Sequence, residues 1–294
     1  MFRFKHRHYM QSVLFSLGNF AVHSYGVCMA AGIVSAHCVL LRLGRRGGLS
    51  AETLGNLVVL LVFSGLAGAR AFYVAEHWAW YRADPLSALR LWEGGLMFYG
   101  SIVAGAAVLA AWCLVARRSV LQMLDLFAAV VPLGQAFGRV GCFMNGCCHG
   151  RLSGGPLSVS YPAGSAPWHD HVALGILPET AARSLPVLPV QLFEAAGGAL
   201  LCAGLVALHR RLFPATDDPQ EVSRSPWRGL VLAGYLAGYG TLRFAMETLR
   251  ADVRAHPFGG PFSISQAISL AAIVLAAALA AAAAARSSAG RKRG

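Results

Sequence analysis

The chain has 294 residues, of which 56% are hydrophobic and 13% charged, with 33 glycines. A soluble domain carries about a quarter charged residues, so the composition excludes an ordinary soluble globular protein. The formal net charge of +12 at pH 7 would suit nucleic-acid binding, but the basic residues cluster in short connections between apolar runs, which is typical of a membrane protein.

Seven apolar runs are each long enough to cross about 30 Å of hydrocarbon as a helix. The first lacks a small-residue cleavage site after a short apolar core, so we interpret it as a retained helix and not as a signal peptide. The sequence therefore predicts an all-α polytopic membrane protein with about seven transmembrane helices in a single domain, 1–294. The predicted spans are 16–41, 54–76, 94–116, 122–143, 187–212, 228–248 and 263–285.

The distribution of basic residues predicts the orientation of these helices. Most of the Lys and Arg follow the first, third, fifth and seventh runs, and the positive-inside rule makes that side cytoplasmic. Arg3, Lys5 and Arg7, which precede the first run, disagree with this assignment. We nevertheless expect the N-terminus outside and the C-terminus in the cytoplasm. The residues that favour this orientation are Arg42, Arg45, Arg46, Arg117, Arg118, Arg210, Arg211, Arg224, Arg228, Arg286, Arg291, Lys292 and Arg293.

Two connections are longer than a turn. Residues 145–186 are rich in Gly, Pro, Ser and His, a composition that predicts irregular structure, here a periplasmic flap over the outer surface. Residues 213–227 are polar and lie on the opposite side, where we expect a plain cytoplasmic linker.

Three arginines, Arg70, Arg139 and Arg243, lie in the outward halves of predicted spans. A charge at membrane depth is costly, so each should face a protein interior or a wet cavity. Together they suggest an anion site for phospholipid phosphate, whose oxygens match the guanidinium fork. The alternative is that each side chain reaches the headgroup region or a structural partner. For Arg70 the two interpretations weigh equally.

The local context favours the anion site for the other two arginines. Arg243 and Glu247 are one helical turn apart and can pair on one face. Glycines at 134, 138, 141, 146 and 150 surround Arg139, and such density lets the backbone leave the helix and approach a ligand. The segment GGLMFYG at 94–100 and Tyr25 lie at the same outer level.

These segments, in this order, resemble the prolipoprotein diacylglyceryl transferase family of bacterial inner-membrane enzymes. The resemblance implies transfer of the diacylglyceryl group from phosphatidylglycerol to the lipobox cysteine thiol of a prolipoprotein, recognised with its signal peptide, without any cofactor or metal. The segments that carry it are HSYG at 23–26, ARAFYV at 69–74, GGLMFYG at 94–100, GRVGCFMNGCCHGR at 138–151, PVQLFEA at 189–195, RFAMETLR at 243–250 and FSISQAISL at 262–270.

The resemblance also implies roles for single residues. Arg139 and Arg243 match arginines that hold the lipid headgroup, and Tyr25 matches a functionally important tyrosine of the first helix. We expect the catalytic group to consist of these three residues with Tyr99 and Glu247. The further residues expected to bind substrate are Arg70, Gly94, Gly95, Asn145, Gly150, Gln191 and Glu194.

Three positions depart from the family pattern. Tyr99 stands where the family usually has a histidine, Cys142 where it has an asparagine, and Cys147 where it has a glutamate. The expected phosphate clamp is kept while the groups expected to handle protons are replaced, so His149 is a hypothetical substitute base. A different lipid transfer, or lipid binding alone, is the alternative function. A small-anion transporter is disfavoured because the buried charges lie in the outer half only.

Cys142, Cys147, Cys148 and His149 cluster at the predicted outer face. Three interpretations stay open: a zinc site, a disulfide between Cys142 and one of its two neighbours in an oxidising compartment, or simple packing. We expect no metal, because adjacent cysteines are awkward ligands for one tetrahedral ion. The remaining cysteines lie singly in apolar runs and are expected to pack there.

Overall fold

The computed structural model describes residues 13–17, 20–91, 94–216, 222, 224–251 and 262–291, and helices dominate them. A β-hairpin (β1, Val13–Leu17; β2, Phe20–His23) precedes the first helix. The long helices are α1 (Ser24–Arg46), α2 (Ala51–Glu76), α4 (Phe98–Val115), α5 (Val120–Asn145), α7 (Val190–Leu212), α8 (Leu230–Glu247) and α9 (Ile264–Arg291). The short ones are α3 (Trp78–Tyr81), α6 (Ala166–Ala173) and a 3₁₀ turn at Pro85–Leu89.

A long helix occupies each of the seven predicted spans. Within the described part of the chain, six of them are long and apolar enough to cross a membrane, and α8 is not among the six. This supports a multi-pass membrane protein, while the number seven and the orientation of the termini stay predictions.

The predicted start of the first span at residue 16 is wrong. The strands β1 and β2 pair antiparallel, with Val13 opposite His23, and α1 begins only at Ser24. Apolarity alone does not separate a short strand from a helical segment. The aromatic and β-branched residues Phe15, Phe20 and Val22 favour a strand here.

Helix α5 is the centre of the bundle. It packs against α1, α7 and α8, while α2 packs against α4 and α9 against α8. Small residues permit the closest of these approaches, as is common between membrane helices. A Cβ at Gly68 of α2, for example, would lie 2.5 Å from the carbonyl oxygen of Gly100 in α4, so any larger side chain would push these two helices apart.

The apolar core occupies one end of the bundle, which we call the core end. It is built from the C-terminal halves of α1, α4 and α7 and the N-terminal halves of α2, α5 and α8. Its fully or almost fully buried members include Leu40, Leu43, Leu54, Leu57, Cys113, Met123, Ala129 and Val231. The opposite end, which we call the polar end, is where α1, α4, α7 and α9 begin and where α2, α5 and α8 finish.

One carboxylate organises the core end. Asp125 of α5 is fully buried and accepts the backbone N–H groups of Gly229 at 2.5 Å and Leu232 at 2.8 Å. Both belong to the first turn of α8, whose N–H groups have no partner within the helix. Arg286 of α9 donates to the carbonyls of Pro226 and Arg228 just before that turn, so α5, α8 and α9 meet there.

Replacement of Asp125 by Ala should lower the free energy of unfolding by about 1–3 kcal/mol, because two buried N–H groups lose their acceptor. Thermal unfolding of the purified protein in detergent measures the effect. Asp84→Ala is the control, since its side chain is 53% exposed, and it should change the free energy by less than about 0.5 kcal/mol. Equal shifts in the two variants would contradict a capping role for Asp125.

Candidate active site at the polar end

Glu194 of α7 joins the two arginines that the sequence singled out. Its side chain is 6% exposed. One carboxylate oxygen, Oε1, accepts Nη1–H of Arg243 at 3.2 Å, and the other, Oε2, forms a close ion pair with Nε of Arg139. The structure therefore brings α5, α7 and α8 together through a single shared carboxylate. From the sequence, Glu194 was expected to bind substrate, and this bridging position was not predicted.

Arg243 is held on several sides. Its Nη2 lies 2.7 Å from Oε2 of Glu247, which confirms the pair predicted from their one-turn spacing. The same Nη2 donates to the hydroxyl of Ser265 at 3.2 Å, and Ser263 donates to Oε1 of Glu247 at 2.7 Å. Both serines lie in the segment FSISQAISL at 262–270, but no local sequence pattern predicts their partners, because these contacts join the start of α9 to α8.

Arg139 differs from Arg243 in how many of its N–H groups are already bonded. Only its Nε contacts Glu194, and among the described residues its two terminal nitrogens have no hydrogen-bond partner. Its side chain is also more exposed, at 21% against 11% for Arg243. The terminal fork of a guanidinium is the part that binds a phosphate bidentately. Arg139 is thus oriented through Nε, while its terminal nitrogens are available to bind a ligand.

Arg70 is placed differently from the other two arginines. It is 6% exposed, and it donates to five backbone carbonyls, those of Ser87, Ala88, Arg90, Gly94 and Gly95. A guanidinium has five N–H groups, so none is left over for a phosphate. The three-arginine cluster expected from the sequence is reduced to two, and Arg70 instead anchors the loop that leads into α4.

Gly94 and Gly95 belong to that anchored loop. Both have positive φ, +83° and +77°, in the left-handed region that favours glycine, and both offer their carbonyls to Arg70. Contact with substrate, expected for both, stays a prediction.

The two predicted catalytic tyrosines are placed unequally. Tyr25, in the first turn of α1, packs its ring on Gly141 of α5 and lies close enough to Arg139 to interact with its charge. Tyr99, in the first turn of α4, is 53% exposed and stacks edge-on against Phe98. No contact in the described structure joins Tyr99 to Arg139. Another tyrosine that the sequence analysis missed, Tyr239, interacts with the charge of Arg139.

Asn145, Gly150 and Gln191 shape the loop that follows α5. Asn145 is the last residue of the helix, and Gly146 reverses the chain with φ +70°. A Cβ at Gly150 would lie 2.7 Å from the carbonyl oxygen of Leu188. Gln191 is fully buried and donates to the carbonyl of Cys147 at 2.7 Å. These positions hold the loop against the start of α7, and substrate contact by any of them stays a prediction.

His149 lies in the same loop and is 2% exposed. Its Nε2 is 2.9 Å from a carboxylate oxygen of Asp170, and its Nδ1 is 3.0 Å from the carbonyl of Gly150. Both ring nitrogens are therefore engaged by groups within the protein. The ring of His171, whose pKa is lowered by burial, stands 6.3 Å away. This arrangement suits a structural link better than a general base.

The three thiols of Cys142, Cys147 and Cys148 form a compact group, with all sulfur atoms within 4.8 Å of one another. The structure shows them as free thiols, so the disulfide that the sequence left open is not formed in it. Hydrogen bonds from the Cys142 and Cys147 thiols lower the pKa of Cys148, and Arg250 acts in the same direction.

Comparison with known proteins bears on this site. The family model for prolipoprotein diacylglyceryl transferase matches residues 12–282. A phosphatidylglycerol–prolipoprotein diacylglyceryl transferase 2 from Clostridium perfringens is 29% identical over 89% of this chain and 91% of its own length. A phosphatidylglycerol–prolipoprotein diacylglyceryl transferase from Geobacter sulfurreducens is 29% identical over 89% of this chain and 90% of its own length. One from Parasynechococcus marenigrum is 31% identical over 82% of this chain and 80% of its own length.

Glu194→Gln should destabilise the protein by about 3 kcal/mol, because it leaves two largely buried guanidiniums without their shared counter-charge. The measurement is thermal unfolding in detergent. Glu179→Gln, at an exposed loop position, is the isosteric control and should unfold like the wild type. Unchanged stability of Glu194→Gln would show that the bridge does not hold the three helices together.

Proposed function

Because the chain belongs to the prolipoprotein diacylglyceryl transferase family, we propose that it transfers the diacylglyceryl group from phosphatidylglycerol to the thiol of the lipobox cysteine of a prolipoprotein. A thioether forms and glycerol phosphate leaves. The observation that carries this proposal is the environment of Arg139. Glu194 orients the guanidinium through Nε, and the two terminal nitrogens have no hydrogen-bond partner among the described residues.

The proposed setting is the bacterial cytoplasmic (inner) membrane, crossed seven times. The N-terminus lies outside, the C-terminus in the cytoplasm, 145–186 forms the periplasmic flap and 213–227 the cytoplasmic linker. The abundance of arginines at the core end supports this orientation. The polar end then faces outward, where the donor lipid enters sideways from the outer leaflet and the signal peptide of the precursor approaches in the same way.

The arginine pair acts on the leaving group. Negative charge grows on the phosphate oxygen as its bond to the glyceryl carbon breaks, and donors held in advance around that oxygen stabilise the transition state. Arg139 binds the phosphate through its open fork, and Arg243 supports it from α8. Glu247 and Glu194 keep both guanidiniums oriented in the absence of lipid.

The acceptor must become a thiolate, since the thiolate is the nucleophile. Both ring nitrogens of His149 are engaged, by Gly150 and Asp170, so we do not assign it as the base that accepts this proton. Tyr99 carries a phenol, a weak proton acceptor at neutral pH. We assign it, with Tyr25, to orienting the headgroup rather than to proton transfer.

A second candidate function rests on the three departures from the family pattern at Tyr99, Cys142 and Cys147. A member that keeps the arginine pair but has lost the usual polar groups would transfer diacylglyceryl to another acceptor, or only bind lipid. Complementation of a strain depleted of its own transferase, combined with a mobility-shift assay for the lipidated precursor, separates the two. A well-expressed chain that does not lipidate the precursor would favour this second candidate.

Arg139→Ala and Arg243→Ala should each lower lipidation by at least about 100-fold, the usual cost of removing a donor from the developing negative charge. The mobility-shift assay on membranes with matched protein levels measures this. Arg151→Ala, an exposed arginine of the flap, is the control and should lipidate like the wild type. Mild effects from both site variants would remove the clamp from the proposal.

His149→Gln should retain lipidation within about a few-fold and leave the shape of its pH profile unchanged, because both ring nitrogens are already engaged by Gly150 and Asp170. The variant is compared with Asp170→Asn, which changes the other partner of the His149–Asp170 contact and leaves the imidazole in place. Loss of the acid-side dependence of the rate in His149→Gln alone would restore His149 as the general base, because a base loses activity when it is protonated at low pH.

A further inference from the structure

The three thiols at the polar end are arranged as an incomplete metal site. We propose that Cys142, Cys147 and Cys148 bind one zinc ion and leave its fourth coordination position open to the thiolate of the acceptor cysteine. This deepens the proposed function and rests on it for the identity of that acceptor. It also departs from the expectation, drawn from the sequence, that no metal takes part.

The spacing of the sulfur atoms fits one ion. All three lie within 4.8 Å of one another, and a Zn–S bond of about 2.3 Å places tetrahedral sulfur ligands about 3.8 Å apart, so closure by about 1 Å or less is enough. No further His, Cys, Asp or Glu joins the group in the described part of the chain. Structural zinc sites have four protein ligands, whereas catalytic ones have three and an open position.

The backbone holds the thiols in place before any ion arrives. Cys147 donates its N–H to the carbonyl of Cys142 at 3.1 Å, and its own carbonyl accepts from the fully buried Gln191. Cys148 has φ +60°, a left-handed conformation that costs a residue other than glycine about 1 kcal/mol or more. In a regular helix or strand the side chains of adjacent residues point in different directions. The left-handed turn at Cys148 brings the sulfur atoms of both adjacent cysteines into the group.

The charges around the group suit a zinc thiolate. Zinc with three thiolates carries a net charge of −1, and two guanidiniums stand close by. Arg250 hydrogen-bonds to Cys148, and Arg139 interacts with both Cys142 and Cys148. Cys142 also follows Arg139 by one helical turn on α5, which puts the open metal position next to the proposed phosphate clamp.

The proposed step is a displacement of the phosphate oxygen by the acceptor sulfur at the glyceryl carbon. The acceptor thiol loses its proton to water when its sulfur takes the open position. A lone pair of that sulfur then forms the new bond to the glyceryl carbon, and the bond from this carbon to the phosphate oxygen breaks. Glycerol phosphate leaves with the electron pair, and the thioether, a weaker ligand than a thiolate, leaves the metal.

Metal binding is measured without reference to activity. The full chain, purified in detergent under reducing conditions, should bind one Zn²⁺ per chain in competition with a chromophoric chelator. Cys142→Ser, Cys147→Ser and Cys148→Ser should each weaken binding by at least 100-fold, whereas Cys38→Ser, an exposed cysteine of α1, should bind like the wild type. Less than one ion per chain, equal loss in Cys38→Ser, or a disulfide within the group in the reduced protein would overturn the proposal.

Occupation of the fourth position is tested with Co²⁺ in place of zinc. The wild type should show thiolate-to-cobalt charge-transfer bands, and a lipobox peptide should intensify and shift them, while the same peptide with Ser in place of its Cys should not. Spectra that respond equally to both peptides would refute the open position.

The lipidation assay separates this proposal from the proposed function. Zinc removal should abolish lipidation, and added zinc should restore it. Undiminished lipidation by the metal-free protein overturns the metal site and leaves the transferase function standing. Stoichiometric zinc binding without any lipidation does the reverse: the metal site stands and the transferase function fails.

Discussion

The arrangement of helices at the polar end depends on how the charges of two largely buried guanidiniums are compensated. A buried arginine needs compensating partners, either a counter-charge or a set of carbonyl oxygens, and leaving it unpaired costs more free energy than most single contacts contribute. Glu194 meets this need for Arg139 and Arg243 at once. Because each arginine belongs to a different helix, the shared carboxylate sets where α5 and α8 stand relative to α7. Glu247 and Ser263 extend the same constraint to α9.

That constraint divides the molecule into two parts with different chemistry. At the core end, large aliphatic side chains pack together, and the buried carboxylate of Asp125 accepts backbone N–H groups at the start of α8. At the polar end the helices are joined by charge pairs and hydroxyls, and glycines admit close backbone approaches. The rigid core end holds the helices, so the groups at the polar end are positioned by helices rather than by loops, which favours a precise site.

The sequence predicted those parts of the structure that depend on local spacing. The Arg243–Glu247 pair follows from one turn of a helix, and the positions of the seven helices follow from apolar runs of membrane length. It did not predict contacts between distant segments. Glu194 as a bridge and the five carbonyls around Arg70 depend on tertiary packing, and no local pattern encodes them. The strands β1 and β2 were missed for a different reason: their apolar residues were counted with the run that continues in α1, although polar residues and a glycine interrupt it.

The proposed chemistry gives a reason for placing both kinds of group on α5. Displacement at a glyceryl carbon requires the attacking sulfur and the departing phosphate oxygen on opposite sides of that carbon, so a site must offer positive charge at one end and a thiolate at the other. Arg139 supplies the first end, and Cys142, one turn further along the same helix, holds the acceptor thiolate at the second end through the proposed zinc ion. The separation of these two side chains is then set by helix geometry. The reacting carbon is therefore held between the phosphate-binding arginine and the site that holds the acceptor sulfur. Alignment of this kind accounts for a large part of the rate enhancement in reactions that join two bound substrates.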